Sequence, residues 1–235
     1  GIPFVAYRAD GSRSFVFHLP QSAAADVHID QVPDGYLDDT RYLHIMGSSL
    51  AISEPLRRAC YVLAQRVWAK GGTVSLDPNL RPELMPMDEI RTALGPLMPF
   101  VSIVLPSGEE LVALTSEAGP EEGAASLLDR GVQLVALKQG EEGSTLFTAQ
   151  GTVRIPPFQV DEVDPTGAGD CYDAGLLVGL SKGWSQEAAG LMANACGALA
   201  STRLGPMEGT FSQRQVLTFM ATQGRPLPPV SGSAI

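Results

Sequence analysis

The chain has 235 residues, enough for one sizeable core, and its 44% hydrophobic and 18% charged content is that of a globular protein, which excludes a disordered chain. A net charge of −10 argues against nucleic acid or an anionic membrane as a partner held by a general positive field, and no unbroken apolar run is long enough to cross a bilayer. The three cysteines, Cys60, Cys171 and Cys196, form neither a zinc pattern nor a disulfide framework, so reduced thiols in a cytoplasm are expected.

The first elements read as a hairpin. Phe4–Tyr7 and Ser14–His18 are β-rich runs with the turn signal Asp10-Gly11 between them. The chain opens at Gly1, inside the first of these runs, so a missing front end is expected. After a polar segment from Ser22 to Asp26 the rhythm changes to strand, loop, helix. Apolar runs at Tyr42–Met46, Thr73–Leu76, Val101–Leu105 and Leu134–Leu137 predict buried parallel strands. Helices are predicted over Pro55–Lys70, Asp88–Leu97, Gly108–Leu114, Glu121–Arg130, Gly167–Ser181, Gln186–Thr202 and Ser212–Ala221. The expected architecture is a mostly parallel sheet with helices on both faces, and a small β hairpin beside it as a lid.

Each predicted strand ends in polar residues and glycines: Gly47-Ser48-Ser49, Asp77-Pro78-Asn79-Leu80-Arg81, Ser107-Gly108-Glu109-Glu110 after Pro106, and Lys138-Gln139-Gly140-Glu141-Glu142-Gly143. Ligands of open α/β sheets bind beyond the carboxyl ends of strands, so these four loops place a site along one edge. The strongest single segment is Asp164-Pro165-Thr166-Gly167-Ala168-Gly169-Asp170. Glycines at a helix start bare the backbone amides, and the helix dipole favours an anion there. A carboxylate beside a bound phosphate has an evident use, accepting the proton of an attacking hydroxyl. A tightly packing Gly-rich helix start with Asp170 as a first-turn charge accounts for the same string. A Walker loop, a dinucleotide fingerprint (Tyr172 stands where its third Gly or Ala belongs) and the protein-kinase motifs are absent.

The run from Asp164 to Gly175 is similar to the carboxyl-terminal signature of the ribokinase-like, PfkB-type sugar kinases, with Pro165 in place of Thr and Tyr172 in place of Phe. The other strand-end motifs follow in that family's order from about Gly1 to Thr210. The resemblance implies a three-layer α/β/α ribokinase-like fold, with residues 1–235 as one N-terminally incomplete carbohydrate-kinase domain and 1–25 as its lid hairpin. It implies ATP and Mg2+ as cofactors and a small sugar as partner. Asp170 would be the general base, and the amides of Gly167, Ala168 and Gly169 the anion hole. Ser107 to Glu110 resembles an Asn-x-x-Glu motif, with Ser107 in the Asn position and Glu110 acting on magnesium through water. Lys138, Gly140 and Gly143 would form the nucleotide loop, with Asn194 near the adenine. Asp164 and Thr166 match positions that hold a monovalent cation such as K+ in several relatives.

On the sugar side the resemblance implicates Tyr7, Arg8, His18 and Arg81. The segments Tyr7–Arg13, Phe17–Ala24, His44–Ser48 and Gly205–Thr210 look like the tagatose kinase and 2-keto-3-deoxygluconate kinase branch. Where the keto-deoxy-acid kinases are expected to carry an arginine for the substrate carboxylate, this chain has Leu19, which favours a neutral ketohexose. The family's earlier Gly-Gly-x-x-x-Asn region does not occur in the sequence. A non-catalytic nucleotide-binding remnant is therefore one alternative, and a nucleoside kinase, which by the resemblance shares the fold and the base, is another. A homodimer through the lid is expected by analogy.

Overall fold

The computed structural model describes residues 1–7 and 13–225. Strands β1 (Ile2–Tyr7) and β2 (Arg13–His18) pair antiparallel with Phe4 opposite Val16 and Tyr7 opposite Arg13, as the alternation of β-rich runs predicts. The Asp10-Gly11 turn lies outside the described residues. One face of the hairpin presents Ile2, Phe4 and Val16, each more than half exposed. The hairpin is tied to the rest by the segment after it, where the Ser53 hydroxyl donates to the Ala25 carbonyl at 2.8 Å.

The main sheet has six strands in sequential order: β3 (Tyr42–Met46), β4 (Thr73–Asp77), β5 (Ile103–Val104), β6 (Leu134–Lys138), β7 (Ser144–Thr148) and β8 (Gly151–Ile155). The first four run parallel and the last three antiparallel to their neighbours. Side chains alternate faces along a strand, so an uninterrupted apolar run fills two cores at once. In β6, Val135 and Leu137 enter the core under α1 (Glu54–Ala69), α2 (Met87–Leu94), α3 (Gly108–Thr115) and α4 (Pro120–Asp129). Leu134 and Ala136 enter the opposite core, under α5 (Ala168–Ser181) and α6 (Gln186–Ala200). Helix α7 (Gln213–Thr222) closes a third core on α6 with Val216 and Met220 against Phe158, Trp184 and Met192.

Three elements differ from the sequence expectation. The strand expected over Val101–Leu105 has ladder pairing only at Ile103–Val104, although the Ser102 and Leu105 amides still bond to the Val74 and Leu76 carbonyls at 2.8 Å. Helix α2 stops at Leu94, because Pro96 has no amide to continue it, and a 3-10 turn over Met98–Phe100 replaces its last stretch. The antiparallel pair β7–β8 was not anticipated as strands. Every residue of β7 is buried, yet three of its five, Ser144, Thr145 and Thr148, are polar, so the segment shows no hydrophobic period.

On β4 the alternation carries functional information. Val74 and Leu76 go into the apolar core, while Ser75 and Asp77, both buried, point to the other face. His44 of β3 joins them there, with its Nδ1 3.0 Å from the Ser75 hydroxyl. The α5 side of the sheet is thus mainly apolar along β5 to β8, with Lys138 at the end of β6, and polar at Ser75, Asp77 and His44 of β4 and β3.

Candidate active site

The first turn of α5 is held open by its approach segment. Asp164, 1% exposed, accepts hydrogen bonds through Oδ1 from the Thr166 amide (3.0 Å) and hydroxyl (2.7 Å), and through Oδ2 from the Gly205 amide (3.0 Å). These bonds pin the loop at Gly205-Pro206 against Gly167, which caps the helix with φ of 82°. A Cβ at that position would be driven into the Pro206 carbonyl, so glycine is required twice over, by dihedral and by space. The Ala168 amide is spent on the Pro165 carbonyl at 3.2 Å. Of the four amides from Gly167 to Asp170, those of Gly167, Gly169 and Asp170 make no such backbone bond.

Asp170 opens to solvent at this turn. Partial burial raises its carboxyl above the ordinary range, with the negative charge of Asp77 adding to the rise and Lys138, His44 and Arg81 opposing it. Those neighbours come from three strands and one loop. Lys138, at the end of β6, lies 3.0 Å from Asp77 Oδ2 and 3.3 Å from Asp173 Oδ1, and would meet a Cβ on Gly169 at 3.6 Å. Burial alone would lower its pKa, but Asp173 and Asp77 outweigh that and hold the ammonium charged. Burial keeps His44 neutral more readily than usual, against the pull of Asp77. Burial also pushes the Asp173 carboxyl up to about 9. Arg81 projects from the loop after β4, where its guanidinium bonds the Leu80 carbonyl at 3.2 Å.

A cavity of about 390 Å³ adjoins the helix tip, lined by Lys138, Gly140, Gly143, Phe158, Ala168, Gly169, Tyr172 and Asn194 among others. The structure therefore brings the predicted nucleotide-loop residues to the predicted anion turn. Asn194 reaches the cavity, but its amide group donates to the Ile155 (3.1 Å) and Pro156 (3.0 Å) carbonyls, so it first fixes the chain leaving β8; only its carbonyl oxygen is left for a ligand. Tyr172, where the resembling signature has Phe, is buried with its hydroxyl unpaired against Ser144.

Ser107 and Glu110 form a reciprocal cap at the start of α3: Glu110 Oε2 accepts from the Ser107 amide at 2.8 Å, and the Ser107 hydroxyl accepts from the Glu110 amide at 3.4 Å. Glu110 Oε1 also takes the Leu80 amide at 3.0 Å, which ties the loop bearing Arg81 to α3. The first duty of both residues is structural. Among the described residues no group of three or more His, Cys, Asp or Glu is arranged to hold a metal.

The predicted sugar-side residues are less gathered. Arg81 stands close enough to act on Asp170. His18 does not join it: its ring lies edge-on to Phe4, 5.6 Å between centroids, on the exposed face of the hairpin. Tyr7 ends β1, and Arg8 lies outside the described residues. Sequence reasoning passed over Asp173 and His44 as site residues. Asp173 follows Asp170 by three positions and so lies on the same helix face, and His44 and Ser75 are polar interruptions at matching register in edge strand β3 and buried strand β4.

A doubly covered, mostly parallel sheet with bare amides at a helix tip, a carboxylate beside them and a cavity fed by a glycine loop defines a phosphotransferase of ribokinase-like fold. The profile of the pfkB family of carbohydrate kinases matches residues 1–212, and the chain belongs to that family. It is 33% identical over 218 residues to a fructokinase of Vibrio alginolyticus (89% of this chain, 70% of the relative). It is 33% identical over 221 residues to the aminoimidazole riboside kinase of Salmonella typhimurium (91% and 68%) and 29% over 216 residues to the 2-dehydro-3-deoxygluconokinase of Bacillus subtilis (91% and 67%). Among solved structures, an E. coli chain provisionally called Ribokinase II, in complex with ATP and Mg2+, superposes with a TM-score of 0.86 at 37% identity, covering 94% of this chain and 70% of that one. No described helix is long and apolar enough to cross a membrane.

Proposed function

We propose that the chain transfers the γ-phosphoryl group of ATP to a hydroxyl of a small sugar, with Asp170 taking the proton of that hydroxyl. The observation that supports this is the juxtaposition at the tip of α5: three amides that make no backbone bond, the Lys138 ammonium, and a carboxylate raised toward a useful basicity. The nucleotide enters the cavity between the Gly140–Gly143 loop and α6, with its phosphates toward Gly169. The acceptor approaches from the side of His44 and Arg81. As the hydroxyl attacks, charge grows on the transferring group, and fixed amides oppose that charge at no reorganisation cost. Magnesium, carried on the phosphates, would neutralise their charge, and Glu110, each of whose oxygens already accepts one amide, would act on it through water. A monovalent cation near Asp164 and Thr166 would have to use lone pairs that the three hydrogen bonds to Asp164 leave over.

For the acceptor we favour a neutral ketohexose, since Leu19 offers no charge to a sugar acid; a 2-keto-3-deoxy acid held by Arg81, or a riboside, is the competing substrate. The exposed apolar face of the hairpin at Ile2, Phe4 and Val16 supports a homodimer through the lid, and the cysteine usage supports a cytoplasmic setting. The test is a coupled ATP-consumption assay over ketohexoses, keto-deoxy sugar acids and ribosides, with Asp170→Ala beside the parent. Loss of about two to four orders of magnitude in kcat is expected. Turnover by the variant close to that of the parent would remove Asp170 from the role of base. ATP binding without turnover on any of these acceptors would favour a nucleotide-binding remnant instead.

A further inference from the structure

One ammonium and two carboxylates meet behind the catalytic turn, and their charges do not balance. Lys138 Nζ contacts Asp77 Oδ2 at 3.0 Å and both oxygens of Asp173 at 3.3 and 3.5 Å. Asp77 and Asp173 are each 2% exposed. A buried excess charge is strongly disfavoured, and here it would stand one helical turn from Asp170, which must itself ionise to act. We infer that Asp77 and Asp173 share a single proton, carried on Asp173, and that this acid pair makes Asp173 a positioning residue that holds the Lys138 ammonium at the anion site of α5.

The placement of the proton follows from hydrogen bonding. Asp77 also accepts the Asn79 amide through Oδ1 at 3.0 Å and makes the shorter contact with Lys138, both of which favour its charged form. Asp173 has the longer lysine contacts, His44 Nε2 at 3.9 Å, and the Asp77 carboxylate, whose contact favours the protonated form of Asp173. Other charged or titratable groups around it are Asp170 and Tyr172 on its own helix, Glu110 acting on Lys138, and Arg81 acting on Asp170. The apolar core shared with α6 adds only uncharged side chains, Ala189 and Ala193. Held from two sides, Lys138 cannot swing away from Gly169, and with one ionised partner the buried cluster is neutral. Two ionised partners would leave a net negative charge beside the anion site and repel the nucleotide.

The inference rests on the kinase reading for the identity of the anion, but its proton can be tested without it. In the full chain, the folding equilibrium is measured against pH for the parent and for Asp173→Asn, an isostere of the protonated acid. A proton held only in the folded state makes stability fall as pH rises between the unfolded and folded pKa values. The parent should therefore lose folding equilibrium relative to Asp173→Asn by up to about tenfold per pH unit between about pH 5 and 8. Equal slopes would overturn the shared proton. For positioning, ATP binding is compared by calorimetry. Asp173→Leu should weaken it by about tenfold, and Asp173→Asn should recover most of that loss. Asp77→Asn alone should be mild, because Asp173 can then give up its proton, while the double variant Asp77→Asn/Asp173→Asn should lose far more than the sum. Asn as damaging as Leu, or additive single variants, would overturn the positioning role. If no variant and not the parent binds ATP, the kinase reading fails, and the pH slopes still decide the acid pair.

Discussion

Replacing Gly167 by Ala measures how firmly backbone strain and crowding together lock the first turn of α5. A left-handed φ of 82° costs a residue with a Cβ about 1–2 kcal/mol. The Cβ also collides with the Pro206 carbonyl, a main-chain atom that Asp164 holds in place through Gly205, so relief requires moving a pinned loop. Overpacking of that kind costs about 1–3 kcal/mol, giving roughly 2–5 kcal/mol together. In a chain of this size each kcal/mol moves Tm by about 2–4 °C, so Gly167→Ala should melt roughly 4–20 °C below the parent. The control is Gly169→Ala, two residues on. Gly169 is helical, and a Cβ there meets only the Lys138 ammonium at 3.6 Å, an ordinary contact. Helix propensity makes that change neutral or stabilising by up to about 1 kcal/mol. Because Gly169 lines the cavity, however, its methyl stands where a phosphate would approach the main chain, and ATP binding should weaken by about tenfold or more. Differential scanning fluorimetry and ATP titration on the two variants read both effects. Melting of Gly167→Ala within about 2 °C of Gly169→Ala would refute the claim that this turn is locked by strain and by Pro206.

Tyr172→Phe removes a buried hydroxyl that lacks a partner, and should raise Tm by about 2–4 °C, corresponding to about 1 kcal/mol; a fall would show that the hydroxyl is satisfied in solution. Asn194→Ala leaves the Ile155 and Pro156 carbonyls unpaired and should cost about 1–3 kcal/mol in urea unfolding, so an unchanged midpoint would mean that water replaces the amide. Because its surroundings raise the Asp170 carboxyl, the acid limb of kcat/KM should lie above the usual carboxylate range, with rate lost as pH falls and the base is protonated. A limb at the ordinary carboxylate value, in a pH-rate profile taken with saturating Mg2+, would count against that environment.

The fold was legible where burial on both faces forces an apolar run, as in β6, and where a serine opens an amphipathic helix, as Ser53, Ser107, Ser185 and Ser212 do. It was illegible at β7, because buried Ser and Thr erase the period that marks a strand; the Thr145 hydroxyl donates to Gln139 at 2.7 Å and that of Thr148 to the Gly151 carbonyl at 3.2 Å. The site shows the same division. A glycine-dependent helix start at position 167 could be read from the string, although tight packing accounts for Gly-Ala-Gly as well as an anion site does. Which amides make no backbone bond could not be read from it, because the Ala168 amide is lost to a turn bond with Pro165 that only the path of the chain decides. Glu110 shows why a motif's residue type underdetermines its work: a carboxylate three residues after a serine serves a helix cap as well as a metal, and here one oxygen accepts from the cap and the other from the Leu80 amide. Asp77 and Asp173 are 96 positions apart in a sequence that gives no reason to pair them. They meet because α5 crosses the carboxyl edge of β4, and what that meeting creates, a second acid that can stay protonated while Asp170 ionises, is a property of their shared burial and of Lys138 between them.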